Sequence, residues 1–216
     1  MIFQKILLIV TCVIVVFISS TLAIAQNNYS NYSFGFSLSG GADDVWHKSG
    51  KDDGKDITWN QGIMAGGGLF FENMFTDSFG IHAGINYSYL ESELVFDDST
   101  DEKIQLKNHA VIIPLYLITS FGNKIRFDIL YGLSYMHIFH NTMSSKNQNT
   151  DGIRFINYNQ FGAGLMLRLV FALNRFTYFY IAPHSQFYFT NVIEDTSWRD
   201  YIYTYQLEIG MIFKTF

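Results

Sequence analysis

Apolar and polar side chains alternate with a period of two over several long segments of this chain. Residues 32–39 alternate Tyr, Phe and Leu with Ser and Gly, and residues 125–135 and 201–213 repeat the pattern with larger apolar side chains. Successive side chains of a β-strand point to opposite faces, so each segment has one apolar face and one polar or small face. Strands of soluble proteins average about five or six residues. The pattern therefore predicts unusually long strands.

The connections between these segments alternate in length. Long polar segments begin near residues 41, 91, 141 and 191, whereas short turns are expected at 72–78, 121–124 and 173–175. Outer-membrane barrels have short periplasmic turns and long extracellular loops, and an open sheet edge has no partner in lipid. The sequence therefore predicts an all-β, eight-stranded, antiparallel up-and-down transmembrane β-barrel of a bacterial outer membrane, with both termini in the periplasm.

The composition agrees with strands that face lipid on one side. Aromatic residues make up 18% of the chain and charged residues only 15%, whereas a soluble domain is about 25% charged. No segment after residue 25 contains 18 consecutive apolar residues, so the sequence offers no transmembrane helix. Many aromatic side chains, few charges and no long apolar run are typical of transmembrane strands.

The first 25 residues are predicted to be a secretory signal peptide. Lys5 precedes the apolar run of residues 6–18, and Leu22-Ala23-Ile24-Ala25 places small residues at the −3 and −1 positions. An uncleaved anchor is the alternative, but the run is shorter than the roughly 20 residues of a membrane helix. The predicted domains are a cleaved signal peptide at 1–25 and an outer-membrane β-barrel domain at 26–216.

Two of the predicted strands are less regular than the others. The second strand, about 59–71, contains Gly66, Gly67 and Gly68, so its parity stays open. The seventh strand, about 176–190, contains Pro183. Proline has no backbone N–H to donate to a neighbouring strand, so a bulge or local irregularity is expected there.

The parity of the fourth strand, about 104–120, is predicted from its polar residues. Gln105, Lys107 and His109 occupy odd positions in a segment that is otherwise largely apolar. Polar side chains of a narrow barrel are expected to face the interior rather than the lipid. The odd positions of this strand are therefore predicted to face inward.

The predicted interior collects charged side chains that lipid-facing positions avoid. Asp128 and Arg168 are expected at similar depth on neighbouring strands, and His184 and Glu208 are expected to face each other. In a narrow lumen such charges have to pair or form hydrogen bonds. An ion-paired plug that fills the barrel is the preferred interpretation, and a proton or solute path is the alternative. The predicted interior polar cluster comprises His82, Lys107, Arg126, Asp128, Arg168, His184 and Glu208.

An enzyme would need a nucleophile, a base and an orienting group that face one another. A His-x-Ser pair is a motif of one group of lipid-modifying outer-membrane enzymes, but His184 and Ser185 are adjacent and point to opposite faces of a strand. His137 and His140 are expected at the edge of a loop. Cys12, the only cysteine, lies in the predicted signal peptide. We therefore predict no catalytic residues and no enzyme activity.

The long loops are expected to be acidic. Carboxylate clusters can bind divalent cations, but the Asp-x-Asp-x-Asp-Gly spacing of a calcium loop is absent from the sequence. The acidic residues are therefore interpreted as a solvated surface loop, and no metal site and no cofactor are predicted. This acidic surface loop comprises Glu91, Glu93, Asp97, Asp98, Asp101 and Glu102.

Several short motifs spread over the chain carry a family resemblance. They are Phe34–Gly41, His109–Leu115, Phe121-Gly122, Ile129–Leu133 and Leu207–Phe213. On these motifs the chain resembles the outer-membrane β-barrel domain family that includes PorT-type proteins, which are common in Bacteroidetes. The resemblance implies a barrel architecture and, for most members, no assigned activity. Phe216 resembles the terminal aromatic residue that the barrel-insertion machinery reads, so this machinery is an expected partner during biogenesis.

The predicted function is that of a small outer-membrane barrel with a plugged interior and a structural or surface-interaction role. A narrow transporter or a secretion-accessory barrel of the PorT type is the alternative, and a lipid-modifying enzyme is the third possibility. The formal net charge is −5, which argues against nucleic acid as a partner. The expected partners are outer-membrane lipid and lipopolysaccharide, and the protein is expected to be monomeric.

Overall fold

A computed structural model describes most of the chain, namely residues 31–48, 57–96, 103–122, 125–145, 148–151, 157–192 and 199–215. The predicted signal peptide lies outside the described residues, as do four members of the predicted acidic loop: Asp97, Asp98, Asp101 and Glu102. Within the described ranges, no helix is long and apolar enough to cross a membrane.

The described part of the chain forms nine β-strands. Valine, isoleucine, tyrosine and phenylalanine favour strands because they pack well on a pleated surface, and these residues recur throughout. One strand, β6, is only four residues long and pairs with the end of β5. The bounds are β1 Asn31–Lys48, β2 Ile57–Met74, β3 Phe79–Phe96, β4 Lys103–Phe121, β5 Ile125–Ser145, β6 Gln148–Asp151, β7 Asn159–Ala172, β8 Thr177–Tyr188 and β9 Arg199–Lys214.

The other eight strands form a closed antiparallel ring. Their order is β4-β3-β2-β1-β9-β8-β7-β5, and pairing between β4 and β5 completes the circle. The first and last strands also meet, with Phe36 opposite Met211 and Asp43 opposite Thr204. Closure gives the backbone N–H and C=O groups of every strand edge a hydrogen-bonding partner, which lipid could not provide. The predicted eight-stranded up-and-down barrel is therefore confirmed.

The two ends of the barrel differ in their connections. Tight connections after β2, β4 and β7 lie at one end, together with the start of β1 and the end of β9; we call this the turn end and the opposite one the loop end. Side chains satisfy the backbone of these turns: Asn174 Oδ1 accepts the N–H groups of Phe176 and Thr177, and Thr76 Oγ1 accepts that of Phe79. Local side-chain acceptors of this kind stabilise sharp reversals.

Alternate residues of each long strand face into or out of the barrel. On β7, the even-numbered Gln160 and Arg168 are buried, whereas the odd-numbered Leu165 and Leu169 are exposed. Large exposed apolar surface is rare on soluble proteins and typical of barrels that face lipid. We call this outward surface the apolar band; it includes Phe34, Phe36, Leu38, Leu69, Ile85, Leu115, Leu133, Leu165, Leu207 and Ile209.

The parity predicted for β4 is wrong. Leu106, Ala110 and Ile112 are buried, so the even positions face the interior, and Lys107 and His109 lie on the outward face. These two residues belong to the part of β4 nearer the loop end, beyond the apolar band. Polar side chains are tolerated on the outside of a strand that extends past the lipid, so polarity there does not indicate the interior.

Two further expectations are corrected by the lengths of the strands. Glu72 belongs to β2, which continues to Met74, rather than to the following turn. The polar segments expected to begin as loops near residues 41, 91 and 141 start as continuations of β1, β3 and β5. The parity of β2, left open by its glycines, is settled because Met64, Phe70 and Glu72 are buried.

Candidate functional site

A group of charged side chains, all buried except the half-buried Arg126, fills the interior near the turn end. This turn-side cluster consists of Glu72, His82, Arg126, Asp128 and Arg168. The Arg168 side chain is 0% exposed, and its Nη1 and Nη2 atoms lie 2.6 Å from Glu72 Oε1 and 2.8 Å from Asp128 Oδ2. Arg126 Nε lies 2.8 Å from Asp128 Oδ1, and His82 Nδ1 lies 3.0 Å from Glu72 Oε1.

The turn-side cluster joins opposite walls of the barrel. Arg168 on β7 is adjacent to Asp128 on β5 in the sheet, but Glu72 lies on β2, on the far side of the ring. The Arg168 guanidinium also lies 5.2 Å from the centre of the Tyr180 ring. Buried charges are tolerated only when partners compensate their lost hydration. The arrangement therefore fixes Arg168 in the lumen and links β2 to β7 through it.

A second polar group lies next to the first. We call it the middle cluster; it consists of Tyr116, Tyr180, His184, Gln186, Gln206 and Glu208. The Tyr180 hydroxyl donates to Glu208 Oε1 at 2.5 Å, and His184 Nδ1 lies 3.7 Å from Glu208 Oε2. Tyr116 Oη lies 3.0 Å from His184 Nε2 and accepts a hydrogen bond from Gln186 at 2.9 Å. These hydrogen bonds connect β4, β8 and β9, so polar contacts cross the lumen here as well.

Apolar side chains occupy the interior between the middle cluster and the loop end. They are buried, contact one another across the barrel and form a continuous apolar core. Close packing leaves few voids larger than a water molecule in such a core. We call this group the apolar plug; it comprises Met64, Leu90, Leu106, Ala110, Ile112, Met136, Ile138, Tyr188, Val192 and Ile202.

The structure brings together six of the seven residues predicted for the interior cluster. Asp128 and Arg168 are directly opposite each other in the β5–β7 register, as expected, and His184 contacts both Gln206 and Glu208. Lys107 is the exception, because it faces outward on β4. Glu72 was not identified from the sequence; its carboxylate accepts hydrogen bonds from both Arg168 and His82.

The outward face near the loop end carries a separate polar group. Glu93 Oε1 lies 2.9 Å from Lys103 Nζ. This contact is the main reason that the pKa of the Glu93 carboxyl is lower than its usual value. Glu91 accepts hydrogen bonds from Tyr89 and Gln105. Glu91 and Glu93, predicted as loop residues, therefore belong to an ordered outward surface of β3 and β4, which we call the rim patch.

The histidines considered as catalytic candidates are exposed residues of β5 that contact polar side chains. His137 is exposed and lies 3.1 Å from Asn159 Oδ1. His140 is also exposed and lies 3.3 Å from Thr142 Oγ1. Ser185 and His184 face opposite sides of β8. Within the part of the chain that the structure describes, no three His, Cys, Asp or Glu side chains converge in a way that could hold a metal ion.

Asp43 is a buried acid near the loop end, on the inward face of β1. Its Oδ2 accepts a hydrogen bond from Ser92 Oγ on β3 at 2.5 Å. The neighbouring outward residues at this level, Asp44 and Glu91, are carboxylates, so this level lies beyond the apolar band. Burial raises the pKa of the Asp43 carboxyl to about 6, and the Ser92 hydrogen bond opposes the shift.

This pKa predicts a pH dependence of stability. In the unfolded chain Asp43 loses its proton near pH 3.8, its ordinary pKa. In the folded barrel the carboxyl stays protonated up to about pH 6. The free energy of unfolding should therefore fall as the pH rises through this window, by about 3 kcal/mol. Urea unfolding in detergent micelles across this pH range measures the slope. Asp43→Asn should remove this contribution, and equal slopes for the two proteins would contradict the assignment.

The comparisons with known proteins give one family match. The model of the family described as "Outer membrane protein beta-barrel domain" matches residues 24–192, more than half of the chain. No curated protein sequence matches this chain. Both comparisons concern sequence, so they are independent of the interior geometry described above.

Solved structures similar to this chain include several outer-membrane proteins. OprG from Pseudomonas aeruginosa is 14% identical, with a TM-score of 0.48 and coverage of 88% of this chain and 98% of that chain. Ail, the attachment invasion locus protein of Yersinia pestis, is 16% identical, with a TM-score of 0.38 and coverage of 85% and 97%. The outer membrane protease OmpT from Escherichia coli is 8% identical, with a TM-score of 0.42 and coverage of 88% and 99%. Identities this low carry no information about ligands or activity.

The closed ring, its outward apolar band and the family match agree with one another. An antiparallel barrel with apolar side chains outside and polar side chains inside is built to span a membrane. The protein is located in the bacterial outer membrane. The chain belongs to the outer membrane protein beta-barrel domain family.

Proposed function

We propose that this protein is a non-conducting outer-membrane barrel with a structural or surface-interaction role. The observation that carries the proposal is the filled interior. Arg168, fully buried, joins Glu72 and Asp128 across the lumen, and the apolar plug packs between the middle cluster and the loop end. A barrel of about eight strands is only wide enough for side chains to fill it. A water-filled path past both groups would require their contacts to break.

The surface-interaction part of the proposal is supported by the length of the strands. β3, β4 and β5 contain 18, 19 and 21 residues, whereas about 9–11 residues cross the membrane. The excess carries the rim patch of Glu91, Glu93 and Lys103 beyond the lipid. We propose lipopolysaccharide headgroups as its neighbours, with barrel-insertion machinery as a transient partner and a monomeric mature domain at 26–216.

The alternative is a narrow transporter or a secretion-accessory barrel of the PorT type. The feature that favours it is the middle cluster, because Tyr180, Glu208, His184 and Gln206 form a continuous series of hydrogen-bonding groups. Such a series could relay protons if water reached both of its ends. The proposal of a PorT-type role predicts loss of exported proteins from a deletion strain, whereas the structural role predicts unchanged export and a weakened envelope.

A lipid-modifying activity is the third candidate and has the least support. His184 is buried among Tyr116, Gln206 and Glu208, and no serine, threonine or cysteine is among these described neighbours. We propose that the protein is not an enzyme and uses no cofactor. Mass spectrometry of lipid A from a deletion strain tests this, since an altered acylation pattern that the intact gene restores would contradict it.

Planar-bilayer recording tests the non-conducting barrel directly. The purified protein should insert without producing a steady current, because the ion pairs and the apolar plug exclude a continuous water column. Glu208→Gln and Arg168→Met should behave in the same way, and Arg175→Met, at an exposed turn, is the matched control. A steady current in the unmodified protein that Glu208→Gln abolishes and Arg175→Met preserves would overturn the proposal in favour of a conducting pore.

A further inference from the structure

Two histidines lie side by side on the outward face of the barrel, nearer the loop end than the apolar band. His109 on β4 is directly opposite His140 on β5 in the register of the two strands, and the centres of their rings are 5.4 Å apart. Directly opposite residues of antiparallel strands have Cβ atoms about 4.5–5.5 Å apart, so their side chains can act on one ligand. We call these two residues the histidine pair.

An irregularity of β5 brings the histidine pair together. Ile138 is buried, whereas the two residues that follow it, Phe139 and His140, are both exposed. The register of β4 and β5 shifts at this point, between His109 and Ala110. Such a β-bulge inserts one residue into a strand and redirects the side chains beside it. With regular alternation from Ile138, residue 140 would face the interior, so the bulge places the second histidine next to the first.

Hydrogen bonds occupy one nitrogen of each ring in the histidine pair. His109 Nδ1 lies 2.7 Å from Tyr87 Oη, and His140 Nε2 lies 3.3 Å from Thr142 Oγ1. When these two nitrogens carry the protons and donate, Nε2 of His109 and Nδ1 of His140 each keep a lone pair. Metal-binding histidines almost always donate their second ring nitrogen in this way, which fixes the tautomer and the orientation of the ring.

Neighbouring side chains orient His109 and balance the charge beside it. The Tyr89 ring meets the His109 ring edge-on at 5.3 Å, and the Phe139 ring lies 6.3 Å away. Ring contacts of this kind restrict the imidazole before a ligand arrives, which lowers the entropy lost on binding. Lys107 precedes His109 by two residues and is directly opposite Glu91 on β3, so a carboxylate accompanies the one positive side chain next to the pair on β4.

We propose that the histidine pair is a binding site for one divalent transition-metal ion, and that Cu²⁺ is the ion it binds most tightly. Imidazole suits Cu²⁺, Ni²⁺ and Zn²⁺, and affinity among the first-row divalent ions peaks at Cu²⁺. Metal–nitrogen bonds of about 2.0–2.1 Å to both rings hold the ring centres about 5 Å apart, close to the observed 5.4 Å. Among the described residues no third His, Cys, Asp or Glu side chain joins the pair, so water completes the coordination.

This inference goes beyond the proposed function and does not depend on whether the barrel conducts. The ion is captured at the outer surface and takes part in no reaction, so the site is compatible with a protein that is not an enzyme. Because the histidine pair lies outside the apolar band, dissolved ions reach it from the water.

Copper titration of the folded full chain, without a polyhistidine tag, tests the site. The unmodified protein should bind one Cu²⁺ tightly, with the electron paramagnetic resonance splitting of two nitrogen ligands. His109→Asn and His140→Asn should each weaken binding more than about tenfold and remove the two-nitrogen splitting. Tyr87→Phe should weaken binding about tenfold and retain both nitrogens, because loss of an outer-shell partner costs about 10–100-fold in affinity.

His137→Asn is the matched control, because His137 is an exposed histidine of the same strand that contacts Asn159 and lies outside the histidine pair. It should leave the Cu²⁺ affinity unchanged, and gel mobility without boiling confirms that each variant is folded. Equal losses in His137→Asn and His140→Asn, or no loss in either variant of the pair, would show adventitious binding only and would overturn the site. Displacement of the copper by Ca²⁺ would also overturn it, because Ca²⁺ takes oxygen ligands and the carboxylates of the rim patch would then hold the ion.

Discussion

Arg168→Met should lower the free energy of unfolding of the barrel by about 3–5 kcal/mol, the range expected when one partner of a buried ion pair is removed. Glu72 and Asp128 both contact Arg168, and without it Glu72 keeps His82 and Asp128 keeps the half-buried Arg126 as its charged partner among the described residues. Methionine keeps most of the side-chain volume of arginine, so the loss of stability is due to the removed charge rather than to a cavity. Urea unfolding in lipid vesicles, followed by tryptophan fluorescence, measures the change.

The control for this prediction is Arg175→Met, which removes the same charge at an exposed turn. It should change the free energy of unfolding by less than about 0.5 kcal/mol. A further variant that combines Arg168→Met with Glu72→Gln and Asp128→Asn should recover much of the loss, because no uncompensated carboxylate is left buried beside residue 168. Equal effects of Arg168→Met and Arg175→Met would show that the turn-side cluster does not stabilise the fold.

Gly164→Val should destabilise the barrel by about 3 kcal/mol or more, because overpacking and lost buried hydrogen bonds act together. Gly164 faces inward on β7, and a Cβ atom there would overlap the hydroxyl and ring of Tyr116. Tyr116 is almost fully buried and contacts His184 and Gln186. It could move aside only by giving up these contacts.

Gly40→Ala is the matched control for the glycine prediction. Gly40 faces outward, and the nearest atom to an added Cβ is 4.0 Å away, so a methyl group is accommodated without strain. The same unfolding measurement should leave this variant within about 0.5 kcal/mol of the unmodified protein. If Gly164→Val were as stable as Gly40→Ala, the middle cluster could not be packed as described.

The parity of most strands was predictable from the sequence because apolar residues alternate where a strand crosses lipid. β1, β3, β5, β7 and β9 all follow this rule. The pairing of Asp128 with Arg168 was also predictable, since counting from a tight turn gives depth on neighbouring strands. The rule fails on β4 at Lys107, because a strand that continues beyond the lipid no longer has to present apolar side chains outside.

The rest of the interior could not be predicted for two physical reasons. Glu72 resembles a turn residue in the sequence, since it precedes a polar segment, yet it pairs with Arg168 from across the ring. Contacts between β2 and β7 depend on the curvature of the closed barrel, which period-two alternation does not contain. Tyr116 was missed because the parity predicted for β4 placed its even positions on the outward face, whereas its hydroxyl, like that of Tyr180, makes buried hydrogen bonds.

Single-cysteine scanning along β4 tests the central claim, a closed barrel whose interior is filled. Cys12 is the only cysteine in the chain, so a Cys12→Ser background accepts one cysteine at a time from 106 to 117. In vesicles, the even positions, such as Ala110 and Ile112, should resist a charged water-soluble thiol reagent. The odd positions within the apolar band, such as Ile113 and Leu115, should react with a lipid-soluble one. Rapid labelling of the even positions by the charged reagent would show water in the lumen and contradict the account.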